Sequence, residues 1–582
     1  MVNSLLTPSK PRDVQVFPIA KQTTVFRSRS WNRLRFEMEY GLQRGTTANS
    51  YWIQGDKTAL IDPPGETFTG IYLESLLARV NVRQLDYLIL AHINPNRMAT
   101  LQALLEITHQ VTIICSNPAA VALKAALPDY DLPISIVRGE ETLDLGQGHA
   151  LKFLPTPSPR WPDLLCTYDP KTQILFTDKW FGCHVCGDQV FDEGWSVFLE
   201  DRRFYYDCLM ATQPRQVEAA LERIAPLQVE FYAPNHGPMV RDGLRELTYL
   251  YQQWSQEQRV QSLKVALLYA SAYGNTATLG QAIGRGITKA GVGVELINCE
   301  SAEPSEVKTA IETCDGVIIG SPTLGGHVPT QIQTAFGILL SNASRGQTVG
   351  VFGSFGWSGE AIDLLADKLR EAGFRFGFEP IRVKFKPTET TLQLCEESGI
   401  QFAQELKRTH KQRQPVLAKT TSQTGSAAQQ ALGRVIGSLC VVTAKQGEVS
   451  SALLTSWVAQ ATFNPPGFTV AIAKDQPIES LLHTGDPFVI NILQEGKQIR
   501  KHFLKTFAPG EDRFAGLEVR VASNGAPILQ DALAYLECQV VSRLDCGDHW
   551  VIYATTQQGQ VIDTNGRTAV LHRKTGHPTQ SV

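Results

Sequence analysis

At 582 residues, with 43% hydrophobic and 19% charged content, the chain exceeds the roughly 250 to 300 residues at which a single core stops growing, and should divide into about three or four domains. A formal net charge of −3 without long runs of like charge excludes a global pull toward nucleic acid or anionic lipid, and no stretch of about 18 apolar residues offers an integral membrane segment. Eleven thinly spread cysteines and a start without a charged-then-apolar signal pattern give the expectation of a cytoplasmic protein with free thiols.

From residue 20 to 258, short β-rich runs give way to strand and helix alternation. Ser50-Tyr-Trp-Ile-Gln and Thr58-Ala-Leu-Ile-Asp, hinged at Gly55-Asp56, belong to the first kind, and the block reads as an α/β sandwich. The strand Tyr87-Leu-Ile-Leu90 delivers His92-Ile-Asn94-Pro-Asn96-Arg97 to a loop. A metal site there would want carboxylates and imidazoles, whereas this loop offers one imidazole, two amides and a guanidinium. Downstream lie Arg160-Trp161-Pro-Asp163, then Ile174-Leu-Phe-Thr-Asp178-Lys179-Trp-Phe-Gly182, then Tyr232-Ala-Pro-Asn-His236-Gly237. Cys183-His-Val-Cys186 is a CxxC that lacks the strand-to-helix turn of a redox fold. Ordinary thiols are one reading of it and a redox switch the other.

From 263 to 408, apolar strands alternate with helical stretches: Lys264 to Tyr269, Val292 to Ile297, Gly316 to Ile319 and Thr348 to Phe352. Such alternation implies a doubly wound parallel sheet. Three loops fall on one edge of it: Ser271-Ala-Tyr273-Gly274-Asn275-Thr276; Ser321-Pro322-Thr323-Leu324-Gly325-Gly-His327; and Gly353-Ser354-Phe355-Gly356-Trp357-Ser-Gly359. Small and hydroxyl residues at a helix start suit a phosphate, and Trp357 offers a flat face to an aromatic ring. The loops lack the Gly-Lys-Ser/Thr of a nucleoside-triphosphate site, and no GxGxxG follows a strand. The block resembles flavodoxin, which implies FMN.

Residues 409–430 carry almost no large apolar side chains and read as a linker. From 431 to 582, short β-rich segments return as a barrel-like domain, with Leu432 to Thr443, Ser451 to Pro466, Lys501-His-Phe503 and Gly547-Asp-His549 in order. This order resembles the split β-barrel of flavin reductases. The resemblance implies a second flavin, FMN or FAD, with its phosphate near Thr455 and Ser456, and reduction by NAD(P)H without a Rossmann fingerprint.

With a flavodoxin block behind it, the first block resembles the metallo-β-lactamase-like αββα sandwich of flavodiiron proteins, and the three modules together resemble the long flavodiiron proteins of oxygenic phototrophs. In that family a His-x-Glu-x-Asp-His motif, a His before Trp-Pro-Asp, an Asp before Phe-Gly and a His before Gly hold two irons. Carried over, His92 and His236 match, while Asn94, Asn96, Arg97, Arg160 and Lys179 stand at the other ligand positions. Three carboxylates are lost and three cations gained, so the expectation is a pocket without an iron pair, closed by ion pairs of Asp163 and Asp178 with Arg160 and Lys179 or by a small anion.

The resemblance implies electron flow from NAD(P)H through flavins to oxygen, reduced to water, in a homodimer or in a heteromer whose homologous partner has intact ligands. Two alternatives stand beside it: a plain NAD(P)H:flavin reductase, and a regulatory flavin-binding subunit whose cationic pocket senses an anion. A metallo-hydrolase is excluded, because the residues for a metal-activated water and its carboxylate base are gone.

Overall fold

The computed structural model describes residues 11–31, 44–108, 110–344, 346–413, 431–432, 434–496 and 498–571. The chain divides into two compact units, one running to Val260 and the other from Gln261 onward.

The first unit opens with β1 (Asp13–Ala20), β2 (Thr23–Ser30), β3 (Thr46–Gln54) and β4 (Thr58–Ile61), an antiparallel meander. The crossover helices α1 (Thr69–Leu77), α2 (Met98–Ile107) and α3 (Asn117–Ala126) then alternate with β5 (Tyr87–Ile89), β6 (Thr112–Ser116) and β7 (Ile134–Val137), which extend the sheet in parallel. Strands β8 (Thr142–Asp144), β9 (Ala150–Pro155), β10 (Leu165–Asp169) and β11 (Ile174–Asp178) follow, then α4 (Leu199–Leu209), α5 (Pro214–Ile224), β12 (Phe231–Pro234) and α6 (Leu244–Arg259). They form a second sheet in the order β12-β11-β10-β9-β8. Val25, Tyr51, Ile53 and Ile89 of the first sheet share a core with Phe153, Leu165, Ile174 and Phe231 of the second. Helices cover both outer faces through separate apolar clusters. That is the αββα sandwich. It starts seven residues earlier than residue 20, because Asp13–Ala20 pairs with β2 as an edge strand.

The second unit contains two folds. Strands β13 (Lys264–Tyr269), β14 (Gly293–Asn298), β15 (Gly316–Pro322), β16 (Thr348–Phe355) and β17 (Arg375–Phe376) form a parallel sheet in the order β14-β13-β15-β16-β17, with β18 (Ile381–Lys384) also on β16. The helices α7 (Asn275–Lys289), α8 (Pro304–Thr313), α9 (Thr330–Asn342), α10 (Glu360–Glu371) and α11 (Glu389–Arg413) cover it on both faces, each burying its own cluster. The order reverses between β13 and β15, which puts a crevice at the carboxyl ends of those strands. Helix α11 runs to Arg413, so the flavodoxin-like fold extends five residues beyond 408. Residues 409–413, assigned to the linker on polarity, are the polar last turn of a long helix. The rest of that linker, residues 414–430, lies outside the described residues.

Beyond it come β19 (Gly437–Ser438), β20 (Cys440–Gln446), β21 (Val449–Thr455), β22 (Val458–Phe463), β23 (Pro466–Ala473), β24 (Pro487–Ile492), α12 (Ile499–Leu504), β25 (Val519–Val521), β26 (Pro527–Leu529), β27 (Ala534–Asp545), β28 (His549–Val561) and β29 (Val570–Leu571). Seven strands make one antiparallel sheet, β21-β20-β24-β27-β28-β23-β22. Inward residues of nearly the whole set, among them Val442, Phe468, Ile490, Val540 and Ile552, meet in one cluster, so the sheet curls around its own core as a split barrel does. Among the described residues no helix is long and apolar enough to cross a membrane.

Candidate functional sites

Strand β5 ends in the sandwich crevice, and a 3-10 turn, Pro95–Arg97, starts α2 from its end. Asn94 caps that turn by accepting the Asn96 N–H at 3.0 Å, and Asn96 itself is exposed. Both amides therefore serve the local backbone or face solvent. Arg97 turns inward, 6% exposed. Its Nη1 donates to Asp62 Oδ1 at 3.0 Å and to the His92 carbonyl at 3.2 Å, and its Nη2 donates to Asp178 Oδ1 at 3.3 Å. Asp178 also accepts from Asn235 Nδ2 at 2.7 Å, and the wholly buried Lys179 ammonium lies 3.9 Å from it.

His92 Nδ1 is 2.8 Å from Asp163 Oδ1, and Asp163 Oδ2 accepts the Ile93 N–H at 2.8 Å. Burial works to raise the Asp163 pKa, but His92 and the Ile93 amide outweigh it and hold the carboxyl below its ordinary value. Asp62 behaves oppositely: burial pushes it up to about 6 against the pull of Arg97, with repulsion from Asp178 adding to the push. Arg160 donates to the Cys208 carbonyl at 3.1 Å and lies over the Trp161 ring, as does Lys179 from the protein interior. Of the ion pairs expected from sequence proximity, Asp178 with Lys179 forms. Asp163 instead serves His92, because the loop after β5 brings that imidazole and the Ile93 amide onto its two oxygens.

His236 Nδ1 meets the Thr47 carbonyl at 2.6 Å, and its ring packs 4.7 Å from that of His184, the residue inside the CxxC. Burial pushes the Cys183 thiol up to about 12 and Cys186 up to about 11, so neither is a thiolate near neutrality. Asp62, His184 and Asn235 belong to this pocket although none was a candidate ligand: Asp62 stands outside the motifs, while His184 and Asn235 sit inside the CxxC and beside His236.

A diiron centre needs anionic carboxylates and free lone pairs. A guanidinium has no lone pair to give and does not deprotonate, and the carboxylates in this pocket already face Arg97, Lys179, His92 and Asn235. Among the described residues no three His, Cys, Asp or Glu side chains converge as possible metal ligands. The residues present do not fit an iron pair.

The three loops of the parallel sheet do come together. Ser271 Oγ accepts the Ala277 N–H at 3.1 Å, fixing the turn that opens α7, and Gly274 takes the left-handed φ of +78° required just before that helix. Thr276 and Ser354, both buried, share a hydroxyl hydrogen bond of 2.8 Å that ties the first loop to the third. The Thr323 N–H donates to the Ser354 carbonyl at 2.9 Å, and Leu324 exchanges backbone bonds with His327, so the Pro322-to-Gly325 loop is tied in as well. A side chain at Gly353 would meet the Ser321 carbonyl at 2.1 Å, so β15 and β16 lie tightly together just before they feed the second and third loops. Tyr273 and Trp357 stand 87% and 93% exposed at the rim, and Phe385, missed in the sequence, meets Trp357 edge-on at 6.4 Å. Backbone amides and hydroxyls below two flat rings fit an FMN. Gly356 and Gly359 complete the third loop, and Gly359 caps α10.

In the split barrel, Thr455 and Ser456 are buried at the end of β21, and Thr455 Oγ1 accepts the Trp457 N–H at 3.2 Å. Trp457 packs 4.8 Å from the His549 ring, itself 2.8 Å from Asp548. His502 packs against Phe503 and Phe507, so Lys501-His502-Phe503 contributes to the barrel flank.

Family models agree with this division: an ODP family beta lactamase over residues 46–237, a flavodoxin over 267–399 and a flavin reductase like domain over 432–579. The chain is 62% identical to the putative diflavin flavoprotein A 6 of Nostoc sp. strain PCC 7120, over 98% of this chain and 100% of that protein. It is 43% identical to diflavin flavoprotein A 1 of Synechocystis sp. strain PCC 6803, over 99% of this chain and 100% of that one. Among solved structures, the metal-soaked Flv1 flavodiiron core from Synechocystis sp. PCC6803 matches with a TM-score of 0.67 and 62% identity, over 69% of this chain and 100% of that one. The chain therefore belongs to the diflavin flavodiiron proteins, a family of oxidoreductases, and joins a metallo-β-lactamase-like, a flavodoxin and a flavin reductase domain.

Proposed function

We propose that the chain takes reducing equivalents from NAD(P)H at its reductase domain and passes them through its FMN site toward oxygen, while an iron pair for reducing oxygen to water is supplied by a homologous subunit with intact ligands. The carrying observation is Arg97, which fills the former ligand pocket and bonds Asp62 and Asp178. A bound flavin supplies the hydride acceptance and one-electron release that no side chain here can perform. The chain's own part is to hold and orient. Ser271 to Thr276 would hold the phosphate, Thr276 and Ser354 brace the loops, and Trp357 would offer its face to the ring. In the sandwich, Arg97 and Lys179 stand at ligand positions with charge of the wrong sign for holding a metal.

The test is a metal and flavin count on protein produced with abundant iron, followed by anaerobic mixing with NADH or NADPH and then oxygen uptake. Two flavins per chain, far less than two irons, bleaching by a nicotinamide, and water-forming uptake only after a full-ligand homologue is added are expected. Two irons per chain, or fast water-forming uptake by this chain alone, would overturn the reading.

A further inference from the structure

The outward face of α11 carries Gln393, Glu396, Glu397 and Gln404, residues that would be solvated on an isolated flavodoxin domain. Yet Glu396 and Glu397 are only 2% and 6% exposed, because residues of the split barrel lie against both and α7 covers Glu396 as well. Ser480 Oγ donates to Glu396 Oε1 at 2.5 Å. Glu397 accepts from the Gly510 N–H at 2.7 Å and from Arg513 at 3.2 Å. Gln393 donates to the Ser450 carbonyl at 3.0 Å, and Gln404 donates to Asp475 at 3.3 Å.

At the centre stands Lys289, the last residue of α7. Its three ammonium hydrogens meet three acceptors: Glu396 Oε1 at 2.7 Å, Ser480 Oγ at 2.6 Å and Glu479 Oε2 at 2.8 Å. Arg285 approaches Glu396 at 3.6 Å, and Arg543 from β27 pairs with Glu479. His483 adjoins Asp486 at 3.8 Å, and burial together with Arg543 keeps it neutral by holding its pKa well below the usual value. Three cations (Arg285, Lys289, Arg543) thus balance three carboxylates (Glu396, Glu479, Asp486). Buried charges of this kind add little net stability but penalise every pose that strands one of them.

We propose that the α7/α11 face is a docking surface for the reductase domain of the same chain, held in one pose by the charge cluster around Lys289. Lys289 closes α7 at the end opposite the phosphate loop, about 21 Å along the helix, so the dock leaves the FMN rim uncovered. The exposure of Tyr273 and Trp357 in the docked state agrees. The reductase is then a fixed neighbour of the flavodoxin domain, and the rim stays open to a further subunit.

The experiment uses full-length, flavin-loaded protein as wild type, Lys289→Met, Glu479→Gln and the conservative Lys289→Arg, with hydrogen exchange followed over α11 and over Pro477–Leu481. In Lys289→Met and Glu479→Gln, exchange at both segments should rise at least about tenfold, and Lys289→Arg should restore much of the protection. Unchanged exchange at both segments in both variants overturns the dock.

Discussion

Arg97 and Asp62 face each other across the sandwich crevice with Nη1 3.0 Å from Oδ1, both almost wholly buried. This guanidinium gives the inward carboxylates Asp62 and Asp178 a common cation. Removing it strands them. Arg97→Met should destabilise the sandwich by about 3–5 kcal/mol, the usual cost of breaking a buried pair from one side. Urea unfolding followed by the tryptophans of this domain measures it, and a loss under about 1 kcal/mol would show that the pair is solvated.

Acid dependence follows from Asp62 and Asp201. Burial raises Asp62 to about 6 and Asp201 to about 7, the latter against the pull of Arg44. Both folded values lie above the unfolded one, so the folded state binds these protons more tightly. Their contribution is fully present below about pH 4 and is lost as pH rises through 6 to 7. Thermal unfolding of the first unit should therefore shift downward between pH 5 and pH 8, and Asp62→Asn and Asp201→Asn should each flatten part of that slope. An identical slope in both variants would falsify the assignment.

Trp357, almost fully exposed at the loop rim, has only Phe385 as a ring neighbour among the described residues. Trp357→Ala should weaken FMN binding about tenfold, near 1.4 kcal/mol, with little effect on folding. Fluorescence titration of the flavin-stripped protein reads this directly. The second flavin should titrate as in wild type.

Gly353 admits no side chain. A methyl group there would sit 2.1 Å from the Ser321 carbonyl, so Gly353→Ala must push β16 away from β15 at the ends that lead into two FMN loops. A cost of roughly 1–3 kcal/mol in stability of the second unit and a marked drop in retained FMN are expected. The flavin content of purified protein and its melting curve check both.

The parallel sheet was legible because its strands are continuous apolar runs buried on both faces, and its loops because their residues lie in unbroken segments. The degenerate pocket was half legible. The motif spacing located His92, Arg97, Lys179 and His236, but Asp62 and His184 reach it from a strand end and a CxxC loop with no pattern of their own. Partner choice was least legible: Asp163 lies three residues from Arg160, yet it serves His92, 71 positions away in the chain.

By itself the sequence determined the kind of chemistry available: three modules, flavin loops built of small and hydroxyl residues, and cations at positions where the resemblance expects iron ligands. Those follow from residue type and local spacing. Which charge answers which was decided only by tertiary structure, because a buried charge pairs with whatever the fold brings within about 3 Å. Arg97 with Asp62, His92 with Asp163, and Lys289 with Glu396 and Glu479 are all such pairs. The last of them joins a flavodoxin helix to a split barrel across 190 residues of chain, a distance over which no periodicity carries information.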